Sequence, residues 1–276
     1  MRILDGKELA EFIKERQARQ VRGLRQANGI APRLAIVQTT DNPVIDTYVR
    51  MKQAYGADIL IDVEQHKVSS SELLSTIDQL NTDSNVHGII VQLPLADESQ
   101  TEAAVNAVAP EKDVDGLGSA AQFDPATPMA IDWLVNGYNV DLKGKKIAIV
   151  GNGRLVGAPL ARMWRAAGYN VTVFDSNSPV VASKLRRFPI IVTATGVPQL
   201  ITSAAVQPKA VVVDAATAAE HGKIVGDVAS DVRARTDLTI TPEKGGVGPL
   251  TVSALFDNVI RAARGVAEAA EAKKTN

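Results

Sequence analysis

The 276-residue sequence contains no cysteine. That excludes disulfides, thiolate catalysis and cysteine-ligated zinc or iron–sulfur sites. Histidine is nearly as scarce, and His66, His87 and His221 are scattered without metal-ligand spacing, so no metal is expected. Aromatic residues make up only 4% of the chain. No apolar run approaches membrane-spanning length, and the opening MRILDGKELAEF carries charge where a signal peptide needs an apolar core. A cytoplasmic protein with no membrane partner is expected. Excess charge is also missing: 30 Lys and Arg against 31 Asp and Glu leave a net charge of −1. No global field recruits nucleic acid, and basic stretches such as residues 184–187 read as solvated faces.

What is present is the balance of a soluble globular protein, 45% hydrophobic and 22% charged, long enough for one large domain or two ordinary ones. Residues 6–26 have amphipathic helical spacing. Strand-like runs at 34–37, 59–63 and 88–93 then alternate with helical patterns at 44–55, 72–80 and 102–108, the second behind the cap candidates Ser69, Ser70 and Ser71. A Gly-, Asp- and Pro-rich segment, 113–128, reads as a loop and domain boundary. A second series follows, with strands at 146–150, 170–174, 190–194 and 210–214, a shorter one near 238–240, and a helix at 156–167. The glycine-rich segment 245–249 precedes a final helix over 252–269, which Thr251 or Ser253 could cap. The β-α-β-α order implies α/β architecture with mostly parallel sheets covered on both faces.

The stretch IVGNGRLVG, residues 149–157, carries the first chemical signal. A strand precedes it, a helix follows, and the next strand, VTVFD, closes on Asp175. That is the setting of a dinucleotide fingerprint. Gly151 permits the tight turn, Gly153 lets backbone amides approach a pyrophosphate, and Gly157 allows close packing, with the phosphates at the N-terminus of a helix beginning near Leu155. Asp175 stands where a carboxylate bonds the adenine ribose hydroxyls and repels a ribose phosphate, which favours NAD over NADP.

A second constellation lies in the N-terminal half. Tyr48 and Lys52 are four apart and share one helical face. Gln92 ends the strand GIIVQL, where open α/β sheets keep their ligand crevice, and Asp115 sits in the loop PEKDVDG. An aromatic ring, an amine, an amide and a carboxylate suit a flat heterocycle that undergoes proton or water chemistry. Each also has a plainer reading: a half-exposed helix face, a strand-end amide, a turn-forming Asp.

TYVRMK, GIIVQLPL, PEKDVDG, FDPATP, IVGNGRLVG and GGVGPLT together, in order and spacing, resemble the methylenetetrahydrofolate dehydrogenase/methenyltetrahydrofolate cyclohydrolase family across nearly the whole chain. The resemblance implies a bifunctional enzyme of one-carbon metabolism. It oxidises methylenetetrahydrofolate by hydride transfer to NAD or NADP, then hydrolyses the methenyl product to formyltetrahydrofolate. It implies an N-terminal α/β folate and catalytic domain, 1–127, completed by the C-terminal helix 251–276, and a Rossmann-type dinucleotide domain, 128–250. Lys52 would be the key cyclohydrolase residue, held and tuned by Gln92, with Tyr48 stacking on the folate, Asp115 gripping the pterin, and Gly248 and Pro249 lining the folate cleft. Gly151, Asn152, Gly153, Val156, Gly157, Asp175, Ser176, Gly196 and Thr217 would hold the cofactor. A homodimer through the nucleotide domain is also implied.

The sequence departs from the family mainly in the nucleotide half. Asn152 and Gly153 replace Arg-Ser or Ala-Ser, and Phe174-Asp175 replaces Cys-His. These changes point to NAD where NADP is the family default, leaving Ser176 and Arg154 as groups that could hold a ribose phosphate. Ala215 and Ala216 stand in the family's Asp-Val-Gly-Ile stretch beside the nicotinamide, Ala126 and Ala130 stand for cysteine and glycine, and Ile45 for serine. The alternatives are an enzyme with one of the two activities, or a catalytically idle paralogue that binds folate or dinucleotide. A shikimate-dehydrogenase-like enzyme is disfavoured, because nothing outside the glycine turn suggests its substrate site.

Overall fold

A computed structural model of the protein describes residues 1–178, 182–216, 218–220 and 223–275. The chain forms two compact units, one of Met1–Ala10 with Thr127–Thr251, the other of Glu11–Ala126 with Val252–Asn276.

The chain opens with β1 (Arg2–Ile3) and α1 (Gly6–Asn28). The Asp5 carboxylate accepts from the amides of Lys7 at 2.9 Å and Glu8 at 3.1 Å, satisfying donors that the first turn of α1 leaves open. The unit built on Glu11–Ala126 then contains β2 (Arg33–Gln38), α2 (Pro43–Asp58), β3 (Asp62–Lys67), α3 (Leu73–Thr82), β4 (Gly88–Val91) and α4 (Thr101–Ala107). Its strands form a parallel sheet in the order β3-β2-β4. Ala35, Val37, Ile89 and Val91 pack on Leu73 and Ile77 of α3 and Ala104 and Val105 of α4. Leu34, Ile36 and Ile90, which alternate with them and so point to the other face, are equally buried. Covering on both faces is why β2 and β4 read as continuous apolar runs.

Three expected boundaries move. Asn42 caps α2 by accepting from Val44 N at 2.9 Å, and Pro43 takes the first helical position. The helix then runs on to Asp58, and Leu60 turns the chain at φ 65°. The apolar run at 59–61 is therefore a turn that buries Ile59 and Ile61 while exposing Leu60, and the strand expected at 59–63 begins at Asp62. The bounds fall late because β3 is a half-exposed edge strand of sequence DVEQHK, without an apolar period to mark it. The serines before α3 do not cap it; Glu72 instead accepts from Ser69 N at 3.0 Å, reaching back as in a capping box.

The other unit contains α5 (Ala126–Gly137), β5 (Lys146–Val150), α6 (Gly157–Ala166), β6 (Asn170–Phe174), α7 (Ala182–Leu185), β7 (Ile190–Thr193), β8 (Val211–Asp214), β9 (Ala218–Glu220), β10 (Lys223–Val225), α8 (Ser230–Arg233) and β11 (Thr239–Ile240). Six strands make an all-parallel sheet, β1-β11-β8-β7-β5-β6, while β9 and β10 pair antiparallel. β1 joins the edge through Arg2 N to Leu238 O and Leu4 N to Ile240 O, both 2.9 Å. Because β5 pairs with β6 on one side and β7 on the other, the strand order reverses there, and α/β sheets bind ligands at such a switch point.

The last helix, α9 (Val247–Thr275), starts five residues before the expected 252, inside GGVGP. Pro249 lies in its first turn, where no intrahelical donor is needed. Neither expected cap serves: Thr251 Oγ1 donates back to Val247 O at 3.3 Å, and buried Ser253 meets the Tyr55 hydroxyl at 3.0 Å.

Candidate active site

Tyr48, Lys52, Gln92 and Asp115 all belong to the unit built on Glu11–Ala126. α2 presents Tyr48 and Lys52 one turn apart. Tyr48 is 38% exposed, whereas Lys52 is partly buried and turned to Gln92. Lys52 Nζ donates to Gln92 Oε1 at 2.9 Å. Gln92 Nε2 donates to the Leu93 carbonyl at 3.0 Å, which orients the amide so that its oxygen faces the amine. Gln92 N in turn donates to Val37 O at 2.9 Å, extending the β2–β4 ladder and fixing where the side chain departs.

Loss of hydration on burial pulls Lys52 below the ordinary lysine value of 10.5, and the Asp115 charge partly opposes this. Burial pushes Asp115 above the ordinary carboxylate range, Lys52 opposes the shift, and Asp113 adds to it. An amine whose neutral form is favoured by burial, held by an amide and faced by a carboxylate, can act as a proton acceptor more readily than an ordinary lysine.

The loop carrying Asp115 is held by two residues that the sequence reading did not single out. Buried Asp113 accepts from the amides of Gly116 at 3.0 Å and Gly118 at 2.7 Å. Gly116 has φ 68°, and a Cβ on it would lie 2.6 Å from Phe123 O, so glycine is needed there. Asn258 of α9, fully buried, donates to Val114 O at 2.9 Å and Asp124 O at 3.0 Å. No local signal marks Asn258, since its partners lie 144 and 134 residues away. Asn258→Ala strands two carbonyls at about 1–3 kcal/mol each. Denaturant unfolding should show a loss of roughly 2–6 kcal/mol, and the folate KM should rise as the Asp115 loop loosens.

In the other unit, Gly151 leaves β5 at φ 105°, and a Cβ on it would lie 2.6 Å from Ala194 O. A Cβ on Gly157 would lie 1.9 Å from Gly151 O, so the turn closes only with glycine at both positions. Gly153 has nothing within 4 Å of its Cβ position, so a pyrophosphate can approach its backbone. These features fit a dinucleotide, whose phosphates Gly151, Asn152 and Gly153 would hold before α6. The helix begins at Gly157, with Val156 immediately before it, rather than at Leu155, which is an exposed turn residue. Asp175, just past β6, accepts through Oδ1 from Asn177 N at 3.0 Å and Ser178 N at 2.9 Å. Asn152 Nδ2 donates to Asp175 Oδ2 at 3.3 Å.

Of the remaining candidates, Ser176 is exposed, Gly196 turns the chain after β7 at φ 70°, and Gly248 and Pro249 lie in the first turn of α9. Thr217 lies outside the described residues, as does His221. Among the described residues, no group of three or more His, Asp or Glu could hold a metal ion, and no helix is long and apolar enough to cross a membrane.

Comparison with known proteins gives two family domains, one matching the segment with Lys52 and Gln92 and one matching the segment with the glycine turn. The family model for the catalytic domain of tetrahydrofolate dehydrogenase/cyclohydrolase matches residues 4–115, and that for the family's NAD(P)-binding domain matches residues 125–267. The bifunctional protein FolD of Moorella thermoacetica is 38% identical over 276 residues, spanning 95% of this chain and 98% of its own. The structure of the bifunctional FolD dehydrogenase/cyclohydrolase from Campylobacter jejuni superposes with a TM-score of 0.91 at 33% identity, covering 96% of this chain and 99% of that one. The Trypanosoma brucei enzyme, solved with NADP cofactor and an inhibitor, gives a TM-score of 0.89 at 30% identity, covering 96% and 97%. With the catalytic-domain match spanning Lys52 and Gln92 and the NAD(P)-binding match spanning the glycine turn, the chain belongs to the tetrahydrofolate dehydrogenase/cyclohydrolase family.

Proposed function

We propose that this protein oxidises methylenetetrahydrofolate to the methenyl compound and hydrolyses that to formyltetrahydrofolate. The observation that carries the reading is the partly buried Lys52 amine, bonded to Gln92 at 2.9 Å and drawn below the ordinary lysine range. In the hydrolytic step neutral Lys52 takes a proton from water as the water oxygen bonds to the methenyl carbon. One C–N bond then breaks, the ammonium returns its proton to the departing nitrogen, and the hydroxyl proton leaves to solvent. Gln92 keeps the amine aimed, Tyr48 stacks on the folate, and Asp115 holds the pterin edge while sustaining part of the Lys52 charge in the resting site. A bound oxidised nicotinamide supplies the hydride acceptor for the first step.

The preferred cofactor is NAD. The amides of Asn177 and Ser178, which could otherwise cradle a ribose phosphate, are engaged by Asp175, and Asn152 holds its other oxygen. The protein works in the cytoplasm as a homodimer formed through the nucleotide unit.

Initial rates with methylenetetrahydrofolate and either dinucleotide, and hydrolysis of added methenyltetrahydrofolate, test this reading. Both activities should be present and kcat/KM should favour NAD. Absence of both activities refutes the reading, and faster turnover with NADP refutes the cofactor assignment. Asp175→Ser should raise the NADP-to-NAD ratio of kcat/KM about tenfold, equivalent to 1.4 kcal/mol, by removing a charge that repels the ribose phosphate.

A further inference from the structure

We infer that Asp227 is a positioning residue for the nicotinamide end of the dinucleotide, acting through the hydroxyl of Thr195. The inference rests on the proposed dinucleotide site and extends it to residues outside the glycine turn. Asp227 is fully buried, just after β10. Its Oδ2 accepts from Thr193 Oγ1 at 2.5 Å, Thr195 N at 2.7 Å and Thr195 Oγ1 at 2.8 Å. Its other oxygen is buried without a partner among the described residues, so the carboxylate's hydrogen bonds all go to the end of β7.

A carboxylate only accepts, so the single Thr195 hydroxyl proton is committed to it. The hydroxyl oxygen then accepts from Val197 N at 3.1 Å, across Gly196 at φ 70°. Asp227 thereby dictates the shape of the turn at 195–197. That turn adjoins the glycine loop: Thr195 Cγ2 would lie 3.3 Å from a Cβ placed on Gly151, whose loop leaves the adjacent strand β5. The two turns flank the switch point, where an extended dinucleotide crosses the sheet end with its adenosine half towards β6. Asp175, the candidate ribose partner, stands on the β6 side, which leaves the β7 side for the nicotinamide half.

The anchor is itself held. Asp214, at the end of β8, accepts from Asp227 N at 3.2 Å and Val228 N at 3.1 Å, and from the Arg233 guanidinium at 2.7 Å. A Cβ on Gly226 would lie 2.0 Å from that Asp214 carboxylate, so the approach requires glycine there. Arg233, Asp214, Asp227 and Thr195 thus form a chain of charge-assisted bonds running to the proposed cofactor turn.

Two ligands separate positioning of the nicotinamide from general support of the unit: NADH, and ADP-ribose, which lacks the nicotinamide. Binding of each is measured with the full-length protein and its Asp227→Asn, Thr195→Val and Thr195→Ser variants, beside hydrolysis of methenyltetrahydrofolate without dinucleotide. For Asp227→Asn and Thr195→Val, NADH affinity and dehydrogenase kcat should each fall about tenfold. ADP-ribose affinity and cyclohydrolase rate should stay within about twofold. Thr195→Ser, which keeps the hydroxyl, should restore NADH affinity. Unchanged NADH affinity in Thr195→Val overturns the inference, and so does an equal fall for both ligands. Thr195→Val decides the matter should Asp227→Asn fail to fold. Failure of the parent to bind either ligand would instead sink the dinucleotide reading itself.

Discussion

Lys52→Gln lowers the rate of methenyltetrahydrofolate hydrolysis by about 10²–10⁴-fold, the range that a positioned proton-transfer group supplies. Glutamine can still meet Gln92, so local packing survives, but it cannot take a proton from water. Hydride transfer from methylenetetrahydrofolate persists in the same preparation, measured by nicotinamide reduction, because that step moves no proton through the amine. A parallel loss of both activities would instead assign Lys52 to folate binding.

The pH profile gives the same prediction a second handle. Hydrolysis needs the neutral amine, so the rate rises as pH climbs through the Lys52 pKa and then levels. Burial places that midpoint below the ordinary 10.5. The Asp115 carboxylate acts against burial by stabilising the ammonium. Asp115→Asn removes that opposition, so the rising limb should move to lower pH even as the folate KM increases. A limb that stays in place or moves up would show that Asp115 does not set the protonation of Lys52.

Gly157→Ala should cost dinucleotide binding about a hundredfold or more and destabilise the protein by roughly 1–3 kcal/mol, as overpacking does. The new methyl would sit 1.9 Å from the Gly151 oxygen and 2.7 Å from its carbon, and neither backbone atom can swing aside. Gly153→Ala is the informative contrast. Its Cβ meets nothing within 4 Å, so stability should hold within about 0.5 kcal/mol, the usual size of a change at an open surface position. Binding should still weaken, because the methyl stands where a pyrophosphate approaches the chain. Calorimetric titration with NADH beside thermal unfolding separates the two. If Gly153→Ala binds as the parent does, the phosphates are not held against that backbone. Cyclohydrolase activity reports on the other unit and should survive both changes.

The two units differ in how readily they were read. β4, β5, β7 and β8 were recognisable because each is an apolar run, a consequence of burial on both faces of a parallel sheet, and β6 by its alternating Val171, Val173 and the closing Phe174. β3 is an edge strand, so half its residues are solvated and the period disappears. α5 went unnoticed because it follows directly on a loop rich in Gly, Asp and Pro, with no cap residue to announce it. β1 is two residues long, too short to carry any pattern, yet its pairing with β11 places Met1–Ala10 in the nucleotide unit.

For the sites, the sequence by itself determined what depends on neighbours along the chain. Tyr48 and Lys52 share a helix face because they are one turn apart, Gln92 stands at a strand end, and the glycine turn lies between β5 and α6. Helical and strand periods and glycine's freedom at positive φ are local properties, so they are written in the order of residues. Tertiary structure alone decided that Gln92 meets Lys52 across 40 residues, that Asn258 holds the Asp115 loop, and that Asp227 reaches Thr195 across 32. Those bonds exist because a buried polar group must find a partner wherever packing delivers one, and packing is settled by how whole elements cover each other's apolar faces.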